Sequence, residues 1–320
     1  MIYDLIIIGS GVAGFGAAIY GGRYHMKVLV IGKEFGGETA KAGNIENYPG
    51  FLSIDGFDLM DAMKKQTENL KVETLDAEVT EITRDEHCFE VKANNVAYQT
   101  HEIIFAVGAE RRRLGLPNEK ELTGRGVHYC VTCDGPVYSG KTIAMAGGGD
   151  ASIKGAVLAA EYVNKLFLIV RGKKVAAEPI NLERMKNLGD KIEVLLETEV
   201  KEIVGDKKLE KLILSRPYKN SDELVVDGLF VEIGAVPNVA LADSLGVELD
   251  EHGYIKVDNI MQTNIDGIFA AGDAVNHFGS FKQDITAAAM GAVAATSAYN
   301  DHKIHGELCV YHARPSLRQM

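Results

Sequence analysis

The chain has 320 residues, of which 46% are hydrophobic and 25% are charged, a composition typical of folded globular proteins and not of disordered ones. Its formal net charge of −11 offers no broad attraction for a polyanion, so nucleic acid is not expected as a partner. Four cysteines are too few for a secreted disulfide scaffold of this length, which favours a cytoplasmic protein. No apolar run reaches the roughly 20 residues of a membrane helix, so membrane association is not expected.

The first predicted element is a βαβ unit at the N-terminus. An apolar strand over Tyr3–Ile8 is followed by the turn Gly9–Gly14, a helix over Phe15–Arg23 and a second strand over Lys27–Ile31. The glycines of the turn have the Gly-x-Gly-x-x-Gly spacing, which lets the backbone approach a pyrophosphate at the helix N-terminus. Because the motif lies between a strand and a helix, it predicts a dinucleotide site.

The next chemical signal is the segment Cys130-Val131-Thr132-Cys133-Asp134. Two thiols at this spacing can close a small disulfide ring, and one thiol can lower the pKa of the other. Asp134 adds a carboxyl group that can exchange a proton with a departing thiol. Half of a zinc site is the alternative, but no second Cys-x-x-Cys motif supplies the remaining ligands. The segment is therefore interpreted as a redox-active cysteine pair.

A second βαβ unit follows the cysteine pair. It consists of a strand over Thr142–Ala146, the turn Gly147–Gly149, a helix to about Tyr162 and a strand over Leu166–Val170. Two such units this far apart predict two separate nucleotide-binding domains. A site for NADP would place an arginine cluster after the second strand, and the chain has Arg171 followed by two lysines. This basic character favours NADPH over NADH.

Two further apolar strands end in glycine turns, at Ile103–Gly108 and Leu229–Gly234, and predict the crossing points between domains. The predicted fold class is α/β, with two Rossmann-like three-layer nucleotide-binding domains, the second inserted into the first. The first domain is predicted to comprise residues 1–113 and 238–320, and the second to comprise residues 114–237.

Near the C-terminus a short apolar strand ends in Gly272-Asp273. An aspartate at the carboxyl end of a strand, after a glycine that lets a ligand come close, suits a hydrogen bond to a ribityl or ribose hydroxyl. A stretch rich in alanine, Ala287–Ala298, follows and predicts a closely packed helix.

These motifs together resemble the low-molecular-weight thioredoxin reductases, which are two-domain members of the FAD-dependent pyridine nucleotide-disulfide oxidoreductases. The resemblance extends from the first strand to about Tyr299. Besides both glycine turns, the cysteine motif and Gly272-Asp273, it rests on Gly36-Gly37-Glu38, Glu46–Phe51, Ala106–Ala109, Ile233–Asn238 and Lys282–Thr286.

The resemblance implies a role for individual residues. Cys130 would attack the protein substrate, Cys133 would face the flavin, and Asp134 would act as acid and base. The residues assigned to the FAD site are Gly9, Gly11, Gly14, Gly37, Glu38, Asn47, Gly272, Asp273, Lys282 and Gln283. Those assigned to the second nucleotide site are Gly147, Gly149 and Arg171.

The function that follows is transfer of electrons through FAD and the cysteine pair to a thioredoxin-like protein disulfide, with NADPH as donor, in a homodimer. Some relatives that lack the arginine motif use ferredoxin, so a ferredoxin-dependent flavin thioredoxin reductase is an alternative. An FAD-binding redox-sensing module without disulfide turnover is the alternative from another class. The tail Asn300–Met320 extends past the resemblance, and it is either a frayed end or a cover that places Tyr311 or His312 over the flavin.

Overall fold

The computed structural model describes residues 2–85, 88–279 and 281–305. The chain divides into two units, of which the first comprises Met1–Ala109 and Pro237–Met320 and the second comprises Glu110–Val236. The second unit is therefore an insertion in the sequence of the first. Both units combine helices with parallel strands, which confirms the predicted α/β class.

The described residues form strands in both units. They are β1 (Ile2–Ile8), β2 (Val28–Gly32), β3 (Asn44–Ile45), β4 (Ile54–Asp55), β5 (Glu73–Asp76), β6 (Val79–Asp85), β7 (Cys88–Ala93), β8 (Val96–Phe105), β9 (Ala109–Arg111), β10 (Val127–His128), β11 (Thr142–Ala146), β12 (Lys165–Val170), β13 (Ile192–Leu196), β14 (Val200–Val204), β15 (Lys211–Tyr218), β16 (Ser221–Val225), β17 (Gly228–Val231), β18 (Ala235–Pro237) and β19 (Ile268–Ala270).

The described α-helices are α1 (Val12–Arg23), α2 (Gly56–Asn69), α3 (Val131–Asp134), α4 (Asp150–Ala159), α5 (Pro179–Asn187), α6 (Ala240–Ser244) and α7 (Asp284–His305). Within these ranges no helix is long and apolar enough to cross a membrane. Helix α1 begins at Val12 rather than at the predicted Phe15, so Gly14 lies in its first turn.

In the described residues the first unit contains a seven-stranded sheet with the order β5-β2-β1-β8-β7-β6, and β19 also pairs with β8. Strand β1 pairs in parallel with β2 and β8, while β6, β7 and β8 form an antiparallel meander. The apolar run Leu5–Ile8 in β1 is buried, as expected for a parallel strand that is covered on both faces. The carboxyl ends of β1 and β2 meet at one edge of the sheet, and the first glycine turn lies there.

Helices α1 and α7 approach each other closely through glycine residues. A Cβ atom added to Gly16 would lie 2.7 Å from the Ala288 carbonyl oxygen, and one added to Gly291 would lie 2.1 Å from the Ala13 carbonyl oxygen. Larger side chains would push the two backbones apart, because packed interiors have no space to accept them. This contact explains the small residues of α7 and confirms the prediction of a closely packed helix.

The second unit has three layers. Its five-stranded parallel sheet has the order β10-β17-β11-β12-β13, and β14, β15 and β16 form a separate antiparallel sheet in the described residues. Alternate residues of β11 face opposite sides, so Ile143 and Met145 pack with Ile153 of α4, whereas Ala144 packs with Leu212 of β15. The parallel sheet is thus covered by helices on one face and by the smaller sheet on the other.

A buried carboxyl group lies in the first unit at Glu102 of β8, where the side chain is 2% exposed. Burial raises the pKa of Glu102 to about 10, and the neighbouring carboxylate of Asp301, which shares a hydrogen bond with it, adds to the rise. Glu102 is therefore protonated in the folded protein at neutral pH, because an ionised carboxylate would lose most of its hydration there.

The substitution Glu102→Gln is expected to increase the resistance to urea relative to the parent protein. This difference should grow as pH rises. An acid with a raised folded pKa contributes stability that is present below its unfolded pKa and is lost as pH rises towards the folded value. Glutamine does not titrate, so the free energy of unfolding of the variant rises relative to that of the parent by at most about 1.4 kcal/mol per pH unit between pH 5 and 9. Urea unfolding of the FAD-loaded proteins at several pH values measures this difference.

Glu68→Gln is the matched control, because Glu68 is an exposed residue of α2. This variant reports the effect of the same Glu→Gln change away from the buried site. A Glu102→Gln variant whose stability differs from the parent by the same amount at every pH would contradict the prediction.

Candidate functional site

The first glycine turn leaves open space in front of helix α1. Gly9 has φ +114°, a conformation that favours glycine, and a Cβ atom there would lie 2.1 Å from the Ala106 carbonyl oxygen. A Cβ atom on Gly14 would lie 1.9 Å from the Gly9 carbonyl oxygen, so the turn closes only with glycine. Gly11 is the N-cap of α1, and no described atom lies within 4 Å of its Cβ position. This opening, faced by unpaired N–H groups of the helix, fits a pyrophosphate.

Other residues assigned to the FAD site come together from distant parts of the first unit. A Cβ atom on Gly37 would lie 3.7 Å from the Gly11 Cα atom, so the segment around Gly37 borders the glycine turn. The Asn47 side-chain amide donates a hydrogen bond to the Gln283 Oε1 atom at 2.8 Å, across 236 residues of sequence. The fold thus places two predicted contacts, Asn47 and Gln283, side by side.

The Gly272-Asp273 turn also borders α1. Gly272 has φ +83°, and a Cβ atom there would lie 2.9 Å from the Ala13 Cβ atom. Burial raises the pKa of the half-buried Asp273 carboxyl, and Lys282 offsets part of that rise. The Asp273 carboxylate accepts no hydrogen bond from the described residues, so it is available to a hydroxyl group of a bound ligand. Both features fit the ribityl chain of FAD.

Lys282 is less available to a ligand than its sequence position suggests. Its ammonium group donates hydrogen bonds to the backbone carbonyl oxygens of Val275 and His277, and it lies 4.7 Å from the centre of the Tyr254 ring. Burial lowers the pKa of Lys282. In this conformation the side chain holds the loop after Asp273 in place.

Glu34, which lies just beyond β2, was not among the predicted site residues. The Ser10 hydroxyl donates to the Glu34 carbonyl oxygen at 2.9 Å, so Glu34 is attached to the glycine turn. Its carboxylate lies 2.7 Å from the Lys41 ammonium, which is also 3.4 Å from the Glu38 carboxylate. In dinucleotide sites an acid about 20 residues after the glycines binds a ribose hydroxyl, and Glu34 has this spacing from Gly14. That spacing was the signal that could have identified it.

Cys130 and Cys133 form a disulfide bond, and their Cα atoms lie 5.4 Å apart. Cys130 is the N-cap of the short helix α3, and its Sγ atom accepts a hydrogen bond from the Cys133 backbone N–H at 3.1 Å. Cys130 is half-buried and Cys133 is exposed. An N–H group directed at Sγ stabilises the thiolate that forms when the disulfide is reduced. The pair can therefore exchange with another disulfide.

Within the second unit, a series of polar side chains extends from the cysteine pair. The Asp134 Oδ2 atom lies 3.0 Å from the His128 Nδ1 atom, and the His128 Nε2 atom lies 2.7 Å from the Tyr138 hydroxyl. His128 is buried, and its ring stacks on Phe230 at 5.3 Å between centroids. Asp134 was predicted as a site residue, whereas His128 and Tyr138 were not.

The second glycine turn repeats the geometry of the first. Gly147 has φ +145°, and a Cβ atom there would lie 2.2 Å from a backbone carbonyl oxygen. Gly149 is the N-cap of α4, and no described atom lies within 4 Å of its Cβ position. Arg171, Lys173 and Lys174 follow β12 and are exposed. The turn fits a second pyrophosphate, with positive charge at the end of the next strand.

Comparison with known proteins decides the family. The family model for pyridine nucleotide-disulphide oxidoreductases matches residues 3–295. The chain belongs to this family. It is 37% identical to the thioredoxin reductase of Listeria innocua in an alignment of 300 residues, and this alignment covers 93% of each chain. The crystal structure of Lactococcus lactis thioredoxin reductase superposes with a TM-score of 0.88 at 35% identity, over 93% of this chain and 98% of that one.

A third relative is relevant to the electron donor. The ferredoxin-flavin thioredoxin reductase of Clostridium acetobutylicum is 31% identical, with a TM-score of 0.51, over 95% of this chain and 99% of that one.

Family membership and the site geometry agree on the class of chemistry. This pyridine nucleotide-disulfide oxidoreductase is an FAD-dependent enzyme of the thioredoxin reductase type, with Cys130 and Cys133 as its redox-active pair. The sequence prediction of fold class, enzyme class and FAD cofactor is confirmed. The family is named for a pyridine nucleotide, whereas one relative is named for ferredoxin, so the comparisons leave two candidate donors.

Two remaining hypotheses from the sequence concern the tail and zinc. Tyr311 and His312 lie outside the described residues. In the described part of the chain, one group of potential metal ligands has all its ligand atoms within 4.8 Å of one another, and it consists of Asp4, His101 and His302. It contains neither cysteine, so the zinc hypothesis for the cysteine pair gains no ligands from it.

Proposed function

We propose that this enzyme reduces the disulfide bond of a thioredoxin-like protein. The Cys130–Cys133 disulfide next to the Asp134 carboxylate is the observation that carries the proposal, because protein disulfide exchange needs a nucleophilic sulfur, a resolving sulfur and a proton donor. FAD, when bound, supplies the two-electron reduction of this disulfide. Residues 1–113 and 238–320 would bind FAD, and residues 114–237 would carry the cysteine pair and the second nucleotide site.

The chain's own residues divide the exchange reaction between them. The Cys130 thiolate, stabilised by the Cys133 N–H, attacks one sulfur of the partner disulfide and forms a mixed disulfide. Asp134 gives a proton to the partner sulfur that leaves. Cys133 then attacks the Cys130 Sγ atom, which restores the intramolecular disulfide and releases the second partner sulfur.

NADPH is the donor that the second glycine turn supports best. The open space at Gly149 accepts a pyrophosphate, and the exposed Arg171, Lys173 and Lys174 place positive charge where a 2′-phosphate would lie. Only Arg171 can bind that phosphate through two parallel hydrogen bonds, since an ammonium group is a point charge. We therefore expect NADPH to bind weakly and NADH to bind more weakly still.

Ferredoxin is the second candidate donor, and Gly172 is the observation that favours it. Gly172 follows Arg171 at a position where NADPH-dependent members carry a second arginine, and it offers no side chain to a phosphate. The similarity to a ferredoxin-flavin thioredoxin reductase also supports this candidate.

Parallel anaerobic reductions test both parts of the proposal. The purified FAD-loaded protein is mixed with NADPH, NADH or reduced ferredoxin, and the flavin absorbance and the appearance of thioredoxin thiols are recorded. We expect NADPH to bleach the flavin and to support thiol formation. Failure of both nicotinamides together with turnover by ferredoxin would assign the alternative donor. Absence of thioredoxin thiols with every donor would overturn the proposed substrate.

A homodimer in the cytoplasm is also proposed, on the resemblance to thioredoxin reductases. Light scattering of the purified protein measures the oligomeric state, and cell fractionation determines the location.

Dithionite titration separates the enzyme from a redox-sensing flavoprotein without disulfide turnover. The enzyme should accept four electrons per chain, two in the flavin and two in the cysteine pair, and an uptake of two would favour the sensing module.

A further inference from the structure

His128 occupies a buried position that connects the redox site to Tyr138. Strand β10 pairs with β17, where His128 lies opposite Phe230, and the two rings stack with an interplanar angle of 27°. The imidazole is 8% exposed, so it cannot turn freely. Both ring nitrogens lie within hydrogen-bond distance of a partner, Asp134 on one side and Tyr138 on the other.

The partners determine which nitrogen carries the proton of the neutral ring. Burial raises the pKa of Tyr138 to about 12, and the charges of Asp134 and Asp227 add to the rise. The phenol therefore keeps its proton at neutral pH, and its hydroxyl can either donate to His128 Nε2 or accept from it. An ionised carboxylate can only accept a hydrogen bond, so Asp134 Oδ2, which lies 3.0 Å from Nδ1, favours the tautomer with the ring proton on Nδ1. Nε2 is then the acceptor for the Tyr138 hydroxyl.

We propose that His128 is a positioning residue, which holds the Asp134 carboxyl through its Nδ1–H so that Asp134 can protonate the sulfur leaving the partner disulfide. The inference rests on the proposed disulfide exchange. Oδ2 accepts the N–H bond whether Asp134 is ionised or protonated, because a carboxylic acid retains a carbonyl oxygen. Oδ1 then carries the transferable proton. The side chain of Asp134 is 39% exposed, so Oδ1 can be reprotonated from solvent.

The electrons and the proton of the assisted step balance. An electron pair on Cys130 Sγ forms the new S–S bond, the partner S–S bond breaks, and its electron pair leaves on the departing partner sulfur. The proton of Asp134 Oδ1 moves to that sulfur, which leaves a thiol and an Asp134 carboxylate. The carboxylate remains bound to the His128 N–H and regains a proton from water before the next turnover.

The charged and titratable groups around His128 are few in the described residues. Asp134 and Tyr138 contact its two nitrogens, while Asp227 acts on Tyr138 through its charge. The Lys141 ammonium lies 5.3 Å from the centre of the Tyr138 ring. Asp134 is thus the one carboxylate in direct contact with the imidazole, so removing the imidazole should change the ionisation behaviour of the site.

The test uses His128→Leu, His128→Asn and Tyr138→Phe in the full FAD-loaded protein. We expect His128→Leu to lower kcat for thioredoxin about 10-fold, a fraction of what a general acid provides. Its activity should persist to higher pH, because loss of the N–H donor disfavours the carboxylate. His128→Asn, whose amide N–H can replace Nδ1–H, should recover most of the rate. Tyr138→Phe should also extend the activity to higher pH, but by less than His128→Leu. Without the Tyr138 hydroxyl, the imidazole proton can move from Nδ1 to Nε2, which weakens the hydrogen bond to Asp134.

A second reaction reports on His128 without thioredoxin. Dithiothreitol opens the Cys130–Cys133 disulfide of the oxidised protein, and alkylation with mass spectrometry follows the rate across pH. An unchanged pH profile in both His128→Leu and Tyr138→Phe would overturn the inference. Parent protein that reacts with dithiothreitol but not with thioredoxin would overturn the proposed function alone. His252→Leu, at an exposed histidine, is the matched control and should leave both profiles unchanged.

Discussion

Cys130→Ser is expected to abolish reduction of thioredoxin, with a loss of at least about 1,000-fold in kcat/KM. A serine hydroxyl is not ionised at neutral pH and cannot form the mixed disulfide, so neither the attack nor the later resolution takes place. The attacking role proposed for Cys130 is supported by its Sγ atom, which accepts a hydrogen bond from the Cys133 N–H at 3.1 Å. The formation of thioredoxin thiols measures the loss.

Cys133→Ser distinguishes the two sulfurs. Cys130 can still attack in this variant, but nothing resolves the mixed disulfide, so a covalent complex with thioredoxin should accumulate and appear in a non-reducing gel. Thr132→Ala is the control, since Thr132 lies between the cysteines and is exposed. It should retain near-parental activity. Substantial turnover by Cys130→Ser, or a covalent complex formed by Cys130→Ser in place of Cys133→Ser, would contradict the assignment.

Asp134→Asn is expected to lower kcat for thioredoxin by about 100-fold or more, within the range that general acids contribute. Asparagine has nearly the same shape, and its carbonyl oxygen can still accept the His128 N–H, but it has no proton to transfer. Flavin reduction by the donor should be affected less than the formation of thioredoxin thiols. Single-turnover experiments on each half-reaction measure the two effects separately.

Asp227→Asn provides a matched control for charge. The carboxylates of Asp134 and Asp227 both raise the pKa of Tyr138, after the larger effect of burial. Either substitution should therefore lower the pKa of Tyr138, which an ultraviolet titration of the phenol detects. Asp134→Asn alone should impair catalysis. Equal losses of activity in the two variants would mean that the site depends on negative charge near Tyr138 and not on a proton from Asp134.

The local motifs were predictable because each acts over a few residues. Gly14 is required where a Cβ atom would collide with the Gly9 carbonyl oxygen, and the glycine spacing between a strand and a helix reports that directly. The boundaries were less accurate. Helix α1 was predicted from Phe15 but begins at Val12, because a glycine at position 14 allows the first helical turn to pack on Gly9.

The roles assigned to the cysteine and flavin residues remain predictions, although the geometry supports them. Asn47 and Gln283 form a hydrogen bond as expected for members of one site. Lys282, by contrast, uses its ammonium group for backbone carbonyl oxygens, and this use could not be read from a motif. Side-chain direction depends on loop conformation, which the motif does not encode.

The sequence by itself determined the cysteine pair and the two glycine turns. The Cys130–Cys133 disulfide closes over a separation of three residues, and Gly14 packs on Gly9 within a single turn. Only the tertiary structure placed His128 against Tyr138 and Asp134, because β10 had to pair with β17 before the imidazole could be buried on Phe230. Contacts of this kind depend on strand order and register, which arise from burial of the whole sheet and not from the residues that meet.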